Sequence, residues 1–436
     1  GFQLNYTDSP FALDAGGLTL EESQQDRRQS RARNVTFDGQ EQVRQFKTGI
    51  SYQQQWDNLA LHTYGFYSYR DFDNKLPFES GGQVELYRNY YGQGSYITHD
   101  LQKETLQNKF QIGYALAFQA DQRLRFDNLN GERGTSDFNQ LESYDSYGFY
   151  AIDRLTLGDW SLLGGLRYDI NTLKADDRTS SNNSDSRNLN SWSGSAGVNF
   201  QLNPAQVFYA NLATSFETPA LSELSSNPYG STGFNLDLKP QQAVNYELGF
   251  KSQKSRLQWN AAVFFINTGD DLVPFELAPF QGRTFYRNAG STHRYGLELF
   301  ANTVVTRNLT LNASYTYSDF TYADYEAEGQ NLEGSELPGI PKHLASLGIT
   351  YQKVDGLLVQ LNSTYRGALF ADDSNATKIS DAFITDLSAS YPIQVSGTAF
   401  TLVGGVNNLF NSSYFDNVRI NAFGGRFYEP APGINF

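Results

Sequence analysis

The stretch from residue 206 to residue 251 most constrains the fold, because two long amphipathic segments flank one polar loop in it. In the second segment apolar side chains alternate with polar or small ones, and the apolar positions are Val244, Tyr246, Leu248 and Phe250. A period of two is typical of a β-strand with one apolar and one polar face. The intervening residues are rich in Ser, Asn, Gly and Pro, which favours a long loop.

The same alternation recurs in about 18 segments, most of them about 11–17 residues long, whereas a tilted strand needs about 9–11 residues to cross a membrane. The second face of these segments is polar and carries few charges. In 309–318, for example, leucine, alanine and tyrosine oppose threonine, asparagine and serine. A soluble sandwich would place charged residues on its outer face, so the pattern indicates a water-filled lumen.

Connections between the segments alternate in length. Short connections are predicted at 56–58, 158–159, 202–204, 252–255 and 353–356, and long loops at 8–42, 122–142, 175–188, 218–241 and 322–340. Outer-membrane barrels have short turns at the periplasmic rim and long loops outside the cell. The sequence therefore predicts an all-β chain that forms a transmembrane antiparallel β-barrel, and a soluble all-β protein is the alternative.

Composition narrows the classes of partner. The net charge of -14 leaves no basic excess for nucleic acid, so we expect no nucleic-acid partner. With no Cys, no Met and 4 His, soft metal ligands are scarce, and we expect no metal site, no resident cofactor and no haem or copper centre. We expect no enzymatic activity, since the chain lacks a GxSxG motif.

The first long loop contains the charge-dense segment GLTLEESQQDRRQSRARN. This segment predicts a short helix capped near Thr19. Its arginines, Arg27, Arg28, Arg31 and Arg33, are candidates for contacts with lipopolysaccharide phosphate or an anionic ligand. A solvated loop helix is the alternative.

Five motifs follow one another along the second half of the chain: SFETPALSEL, NLDLKPQQAVNYELGFK, RNAGSTHRYGLELFA, LPGIPKHLASLGITY and GGVNNLFNSSYFD. In this order the whole chain resembles the barrel of TonB-dependent outer-membrane receptors. The segments DAGGLTLEESQQDRRQSRARN and YRDFDNKLPFESGG are similar to the subset that takes up ferric siderophores and ferric citrate. The resemblance implies part of a 22-stranded barrel in the bacterial outer membrane.

Receptors of this family also carry an N-terminal plug, and nothing in the sequence resembles a plug or a TonB box. We therefore expect residues 1–436 to be one barrel domain, a fragment lacking the plug, the first strands and the end of the last strand. Pro430 and Pro432 cannot both lie in a central ladder, which leaves about Gly433–Phe436 for a last strand. The alternative is a complete plugless barrel that acts as a passive channel.

The resemblance implies active uptake of a ferric siderophore or similar iron chelate. The missing plug would couple the barrel to the TonB–ExbB–ExbD complex, and lipid and lipopolysaccharide would surround it. Iron would enter only as a bound chelate. A receptor for cobalamin, haem or an oligosaccharide, a passive channel, and an adhesin or phage receptor stay open as alternatives.

Ligand contacts are expected near the long loops, on the face that points into the lumen. Aromatic faces with cationic groups suit a bulky, often anionic complex. The candidates are Arg70, Tyr90, Tyr91, Phe216, Tyr286 and Arg287. The alternative for each aromatic residue is a place in the girdle at the membrane interface.

Glu247 and Glu298 lie on the polar face of their segments, in NYELG and YGLEL. A carboxylate that is buried in a barrel wall needs an ion-pair or hydrogen-bond partner, because burying an unpaired charge is costly. In the receptors that this chain resembles, barrel glutamates at these motifs bind plug arginines, which implies that Glu247 and Glu298 hold the plug. Arg294 and Asp386 are expected to tune the same lining. Solvated lumen charges are the alternative.

Overall fold

The computed structural model describes residues 1–179, 184–229 and 233–436, and these residues are mostly β-structure. One antiparallel sheet contains 17 strands, and four two-stranded hairpins lie outside it. In chain order the strands are β1 (Phe2–Leu13), β2 (Gln40–Trp56), β3 (Leu59–Lys75), β4 (Gln83–Gln102), β5 (Leu106–Leu129), β6 (Glu132–Leu157), β7 (Trp160–Asp177), β8 (Asp185–Asn203), β9 (Gln206–Glu217), β10 (Gln241–Lys254), β11 (Leu257–Gly269), β12 (Leu272–Glu276), β13 (Thr284–Asn288), β14 (Ser291–Thr306), β15 (Leu309–Asp324), β16 (Glu326–Ala327), β17 (Gln330–Asn331), β18 (His343–Gln352), β19 (Leu358–Arg366), β20 (Leu369–Phe370), β21 (Lys378–Ile379), β22 (Ala382–Val395), β23 (Thr398–Val406), β24 (Phe415–Val418) and β25 (Tyr428–Pro430). Three short helices lie in the loops, namely α1 (Leu20–Gln25), α2 (Ala32–Thr36) and α3 (Leu221–Ser225).

Each strand of the large sheet pairs with the sheet strand before it and the one after it in the chain, and β1 and β23 form the two edges. This meander confirms the predicted barrel fold. The strand predicted near the C-terminus is present only as an isolated bridge between Asn407 and Asn435, just beyond β23. Within the described ranges, none of the helices is long and apolar enough to cross a membrane.

Two predicted boundaries are wrong. The predicted loop at 122–142 is mostly sheet, because β5 and β6 continue to a two-residue turn at Asn130 and Gly131. Both turn residues have positive φ, 53° and 97°, as an Asn-Gly hairpin turn requires. The single strand predicted at 283–303 is two strands, β13 and β14, and β13 pairs with β12 in a separate hairpin.

The two faces of the sheet differ as the alternation predicts. On one face large apolar side chains are exposed, for example Trp192 (62%) and Leu248 (60%). About midway along β4–β6 this outer face carries an aromatic cluster, in which the Tyr91 and Phe118 rings stack at 5.4 Å and Phe118 meets Tyr147 edge-on. The opposite, lumenal face carries the polar side chains, so the apolar face is the one that suits lipid.

The buried apolar clusters lie at the loop end and not between sheets. The first cluster packs α3 against β7 through Leu173, Leu221 and Leu224. The second surrounds Tyr322 and Tyr325, and the third surrounds residues 369–379 and 422–428. A single sheet that forms a wide barrel wall encloses no packed core. The long loops therefore supply the close-packed core, and this core holds the loops in place at their end of the sheet.

The β12–β13 hairpin contacts loops from several parts of the wall. At its tip the Phe280 ring meets Phe78 of the β3–β4 loop at 5.6 Å. Arg283 Nη2 donates to the Gly81 carbonyl of that loop at 2.7 Å. On the other side, Asn421 Nδ2 donates to the Pro274 carbonyl at 2.8 Å. The hairpin therefore links loops that are far apart in the sequence.

Candidate functional site

A cavity of about 660 Å³ opens on the lumenal face of β1–β5, about midway along β2, β3 and β4. We call it the upper cavity. Its lining side chains include Gln45, Lys47, Phe66, Arg70, Arg88 and Tyr90. They share one face because residues two apart on a strand point the same way, and the ladders align Gln45, Arg70 and Arg88 side by side.

The upper cavity holds more positive than negative charge. Arg70 and Arg88 are direct cross-strand partners, an arrangement that like charges disfavour. Arg88 makes a two-pronged ion pair with Asp121, with Nε–Oδ1 at 2.9 Å and Nη2–Oδ2 at 2.7 Å. Arg70 Nη2 donates to Gln45 Oε1 at 3.1 Å, and its buried Nε has no hydrogen-bond partner. Among the described residues, neither Arg70 nor Lys47 makes an ion pair.

Aromatic rings form the deeper side of the upper cavity. The Phe66 and Tyr90 rings meet at 5.1 Å with an interplanar angle of 47°. Phe66 lies over Gly92 of the neighbouring strand, where an added Cβ would collide with the ring. Glycine at this position therefore lets the ring lie flat on the wall. The cavity offers a π-face beside two unneutralised cations.

The structure divides the six candidate ligand contacts into three groups. Arg70 and Tyr90 lie together in the upper cavity. Tyr91 and Phe216 point to the outer face, so the expectation that they face the lumen is wrong for both. Neighbours in a strand alternate, so Tyr90 and Tyr91 cannot share a face. Phe216 follows Phe208 and Leu212 on the exposed apolar side of β9.

Tyr286 and Arg287 lie on β13, in the loop layer. Tyr286 packs against the first apolar cluster. Arg287 Nε donates to the Tyr325 hydroxyl at 2.8 Å, and Nη2 lies 3.8 Å from Asp373 Oδ2. Burial, followed by the Asp373 charge, raises the pKa of Tyr325 above its usual range. Arg287 therefore takes part in packing the loops against one another.

Arg287 also lines a cleft of about 330 Å³ between the loops, together with Asp372 and Asp373. Burial opposes ionisation of Asp372, but hydrogen bonds from Ser374 and from the Ala376 and Thr377 amides outweigh it and lower its pKa. Asp373 accepts from the Tyr322 and Tyr325 hydroxyls at 2.7 and 3.1 Å. Both carboxylates are therefore occupied, and across the described residues no group of three acidic or His side chains is placed to hold a metal.

Glu247 and Glu298 are brought together on the opposite part of the wall. Their strands, β10 and β14, both pair with β11. Ala262 of β11 is the cross-strand partner of Gly249 on one side and of Glu298 on the other. The Tyr209 ring lies over Gly249 on the same lumenal face. In the described part of the chain neither glutamate forms an ion pair. The two carboxylates are therefore free to bind a cationic group in the lumen.

Arg294 and Asp386 are engaged elsewhere. Arg294 forms an ion pair with Asp271 at the loop end of β11, and its Nε lies 3.3 Å from Thr292 Oγ1. Asp386 Oδ1 accepts from the Asn408 amide at 2.8 Å. Three strands, β15, β18 and β19, separate Asp386 from the glutamate pair. Arg294 therefore shares the lumenal face of β14 with Glu298 but is paired with Asp271, whereas Asp386 lies on another part of the wall.

The first long loop contains the predicted helix. Thr19 caps α1, because its hydroxyl accepts from the Glu22 amide at 3.2 Å and Glu22 Oε2 accepts from the Thr19 amide at 2.9 Å. Three of its four arginines bind other loops. Arg27 donates to the Tyr414 carbonyl, Arg31 to Gln281 and Arg33 to the Pro77 carbonyl. These contacts link the first long loop to the other loops at the loop end of the sheet.

Sequence reasoning missed several residues near the upper cavity. Lys47, Arg88 and Asp121 lie on the lumenal parity of their strands, and pairing Arg70 with its cross-strand neighbours would have found them. The buried pair Arg123–Glu142 (Nε–Oε1 2.8 Å) was hidden in the stretch predicted as a loop. Ser225 of α3 donates to the same Glu142 oxygen at 2.7 Å and docks the helix on β6.

Comparisons with known proteins agree with the fold. The family described as TonB dependent receptor-like, beta-barrel matches residues 1–409. A solved structure of the ferric citrate transporter FecA in its unliganded form superposes with a TM-score of 0.82 at 20% identity, covering 99% of this chain and 66% of that one. At this identity the likeness concerns the fold alone.

Curated relatives match at the sequence level. The ferrioxamine receptor of Yersinia enterocolitica is 27% identical over 280 residues, which are 62% of this chain and 36% of the relative. The probable TonB-dependent siderophore receptor PiuA of Acinetobacter baumannii is 25% identical over 291 residues, 62% of this chain and 37% of the relative. The aligned part is thus little more than a third of each relative. The chain belongs to the TonB-dependent receptor β-barrel family and is an outer-membrane protein.

Proposed function

We propose that the chain forms the wall of a TonB-dependent transporter that takes up an anionic ferric chelate across the outer membrane. The excess positive charge of the upper cavity carries this proposal. Among the described residues, the cavity lining contains Arg70, Arg88 and Lys47 but no carboxylate, and Asp121 beside it pairs with Arg88. A bound anion would relieve the repulsion between the opposed guanidinium groups.

The proposed ligand class follows from the same residues. A ferric complex with free carboxylates, such as ferric citrate, offers oxygen acceptors to guanidinium donors. The Phe66 and Tyr90 faces suit the apolar parts of a bulky chelate. Iron is then a substrate inside its chelate, and the protein needs no cofactor and performs no catalysis.

The complete receptor is part of the proposal, because the chain spans little more than a third of the ferrioxamine receptor and PiuA. A plug supplied by the complete receptor would fill the lumen and couple it to TonB, ExbB and ExbD. Glu247 and Glu298 would bind plug arginines. Lipid and lipopolysaccharide would surround the outer face.

The test is uptake of radiolabelled ferric citrate by cells that carry the complete receptor as their only route for that chelate. We expect saturable uptake that stops when TonB is deleted. Ferrioxamine B, which carries a free ammonium group, is the comparison ligand. Uptake of ferrioxamine B alone would overturn the ligand class, and ferric citrate entry that persists without TonB would overturn active transport in favour of a passive channel.

A further inference from the structure

A second cavity, of about 520 Å³, lies on the same lumenal wall nearer the short turns. We call it the lower cavity. Its lining side chains include Tyr64, Gln111, Tyr150, Arg167, Ser193 and Ser195. Tyr64 lies two residues before Phe66 of the upper cavity and on the same face of β3. The Tyr64 ring lies over Gly94 of β4, and the Phe66 ring lies over Gly92. The two cavities are therefore neighbours along one strand.

The lower cavity has similar residue types but a different charge. Its guanidinium, that of Arg167, is neutralised by Asp169, with Nε–Oδ2 at 2.7 Å and Nη2–Oδ1 at 2.6 Å. What remains is a set of neutral hydrogen-bond donors, the hydroxyls of Tyr64 and Tyr150 among them. Gln111 Nε2 donates to the Tyr150 oxygen at 3.4 Å, which leaves the phenolic proton free to donate.

We propose that the lower cavity is a second, weaker binding site for the same anionic chelate on its way to the periplasm. This inference rests on the proposed function. A site on the way to the periplasm releases an anion quickly only if that site holds the anion without a strong ion pair. Within the described ranges the upper cavity has two unpaired cations and the lower cavity has none, so the upper cavity is the stronger anion site and the lower cavity the weaker one. The Arg167–Asp169 ion pair thus neutralises the guanidinium and keeps anion binding in the lower cavity weak.

The variant Asp169→Asn tests this in the complete receptor, because it frees the Arg167 charge and keeps the side-chain size. We expect ferric citrate binding to non-energised cells to stay within about twofold, since the upper cavity is unchanged, while maximal TonB-dependent uptake falls about threefold or more. The double variant Arg167→Gln with Asp169→Asn removes the freed charge, and we expect it to recover most of the wild-type rate.

The matched control is Asp176→Asn. It also breaks an ion pair with an arginine two residues away, Asp176–Arg178 at 3.1 Å, and lies on the same strand but on the outer face. We expect wild-type uptake from it. Unchanged uptake in Asp169→Asn overturns the lower site, and so does a slow double variant, which would indicate a structural role for the pair.

A separate readout covers the case in which the lower cavity only packs against a plug. Influx of a large antibiotic into non-energised cells measures loosening of the lumen. We expect no increase for Asp169→Asn, and an increase that accompanies slower uptake would overturn the inference. If the wild-type receptor shows no TonB-dependent ferric citrate uptake at all, the proposed function fails first, so the two failures are distinguishable.

Discussion

Arg70 and Arg88 are direct cross-strand partners on the lumenal face, and among the described residues a carboxylate neutralises only one of them, Arg88. Two like charges directly opposite each other on neighbouring strands destabilise a sheet. A bound anion would offset this repulsion, which explains why two arginines occupy opposed positions. It therefore connects the strand register directly to the proposed ligand class.

The variant Arg70→Gln should weaken ferric citrate binding to the complete receptor about tenfold or more, because a hydrogen bond to a charged group contributes roughly 1.5–3 kcal/mol. Equilibrium binding to outer-membrane fragments measures this. Arg44→Gln is the control, since Arg44 lies on the outer face, is exposed and pairs with Asp71 at 3.3 Å. Equal affinities of the Arg70 and Arg44 variants would remove Arg70 from the site.

Reversing both lumen charges, Glu247→Lys with Glu298→Lys, should loosen a plug held by arginines. Each replacement turns an attraction into a repulsion at the same place in the wall. We expect cells with the complete receptor to admit large antibiotics and to lose ferric citrate uptake. Glu41→Lys, an exposed position near the loop end, is the matched control. Normal exclusion and uptake in the double variant would leave the two glutamates as solvated lumen charges.

Asp373→Asn should destabilise the loop layer by about 1–3 kcal/mol, because the buried carboxylate accepts two tyrosine hydroxyls and faces Arg287. We expect faster proteolysis of the β12–β13 hairpin and of residues 325–342, with the strands of the wall still protected. Asp355→Asn, in an exposed short turn with Lys353 at 2.8 Å, is the control. Equal cleavage rates in the two variants would contradict a stabilising role for Asp373.

The contact between the first loop and the C-terminal segment should depend on pH. Arg426 binds Glu22 through Nη1–Oε2 at 2.6 Å and Nη2–Oε1 at 3.0 Å, and this pairing lowers the pKa of Glu22 below 4.5. A lowered folded-state pKa gives stability that is present above 4.5 and is lost as the pH falls through the lowered value. Hydrogen exchange of residues 14–39 should accelerate there.

The variant Glu22→Gln separates this pair from other acidic groups. It should show fast exchange of the first loop even at neutral pH and a weaker change on acidification. A wild-type profile in this variant would mean that other contacts, such as the Arg419–Asp14 ion pair at 2.7 Å, hold the loop.

The fold was predictable because the side-chain period of a strand is fixed. The run that contains Val244, Tyr246 and Leu248 gives the strand, its two faces and its lipid-exposed side without further information. The boundary at 122–142 differs because two local signals compete there. The polar residues favour a long loop, whereas the Asn130–Gly131 dipeptide favours the tight hairpin turn that the structure contains.

The candidate site was predictable only in part. The alternation places Arg70 and Tyr90 on the lumenal face, where the structure has them, and excludes Tyr91 from that face. A ligand contact of Arg70 or Tyr90 stays a prediction. The partners of Arg287 were out of reach, because Tyr325 and Asp373 come from other loops. Loop-to-loop packing depends on three-dimensional proximity, which alternation along one strand does not contain.

The most direct test of the upper cavity is the position of iron in the complete receptor bound to ferric citrate, located by the anomalous scattering of iron in a crystal structure. We predict an iron peak in the upper cavity, with citrate carboxylate oxygens about 2.7–2.9 Å from the guanidinium nitrogens of Arg70 and Arg88. An iron peak only in the loop cleft beside Arg287, or anywhere else away from Arg70, would contradict the assignment.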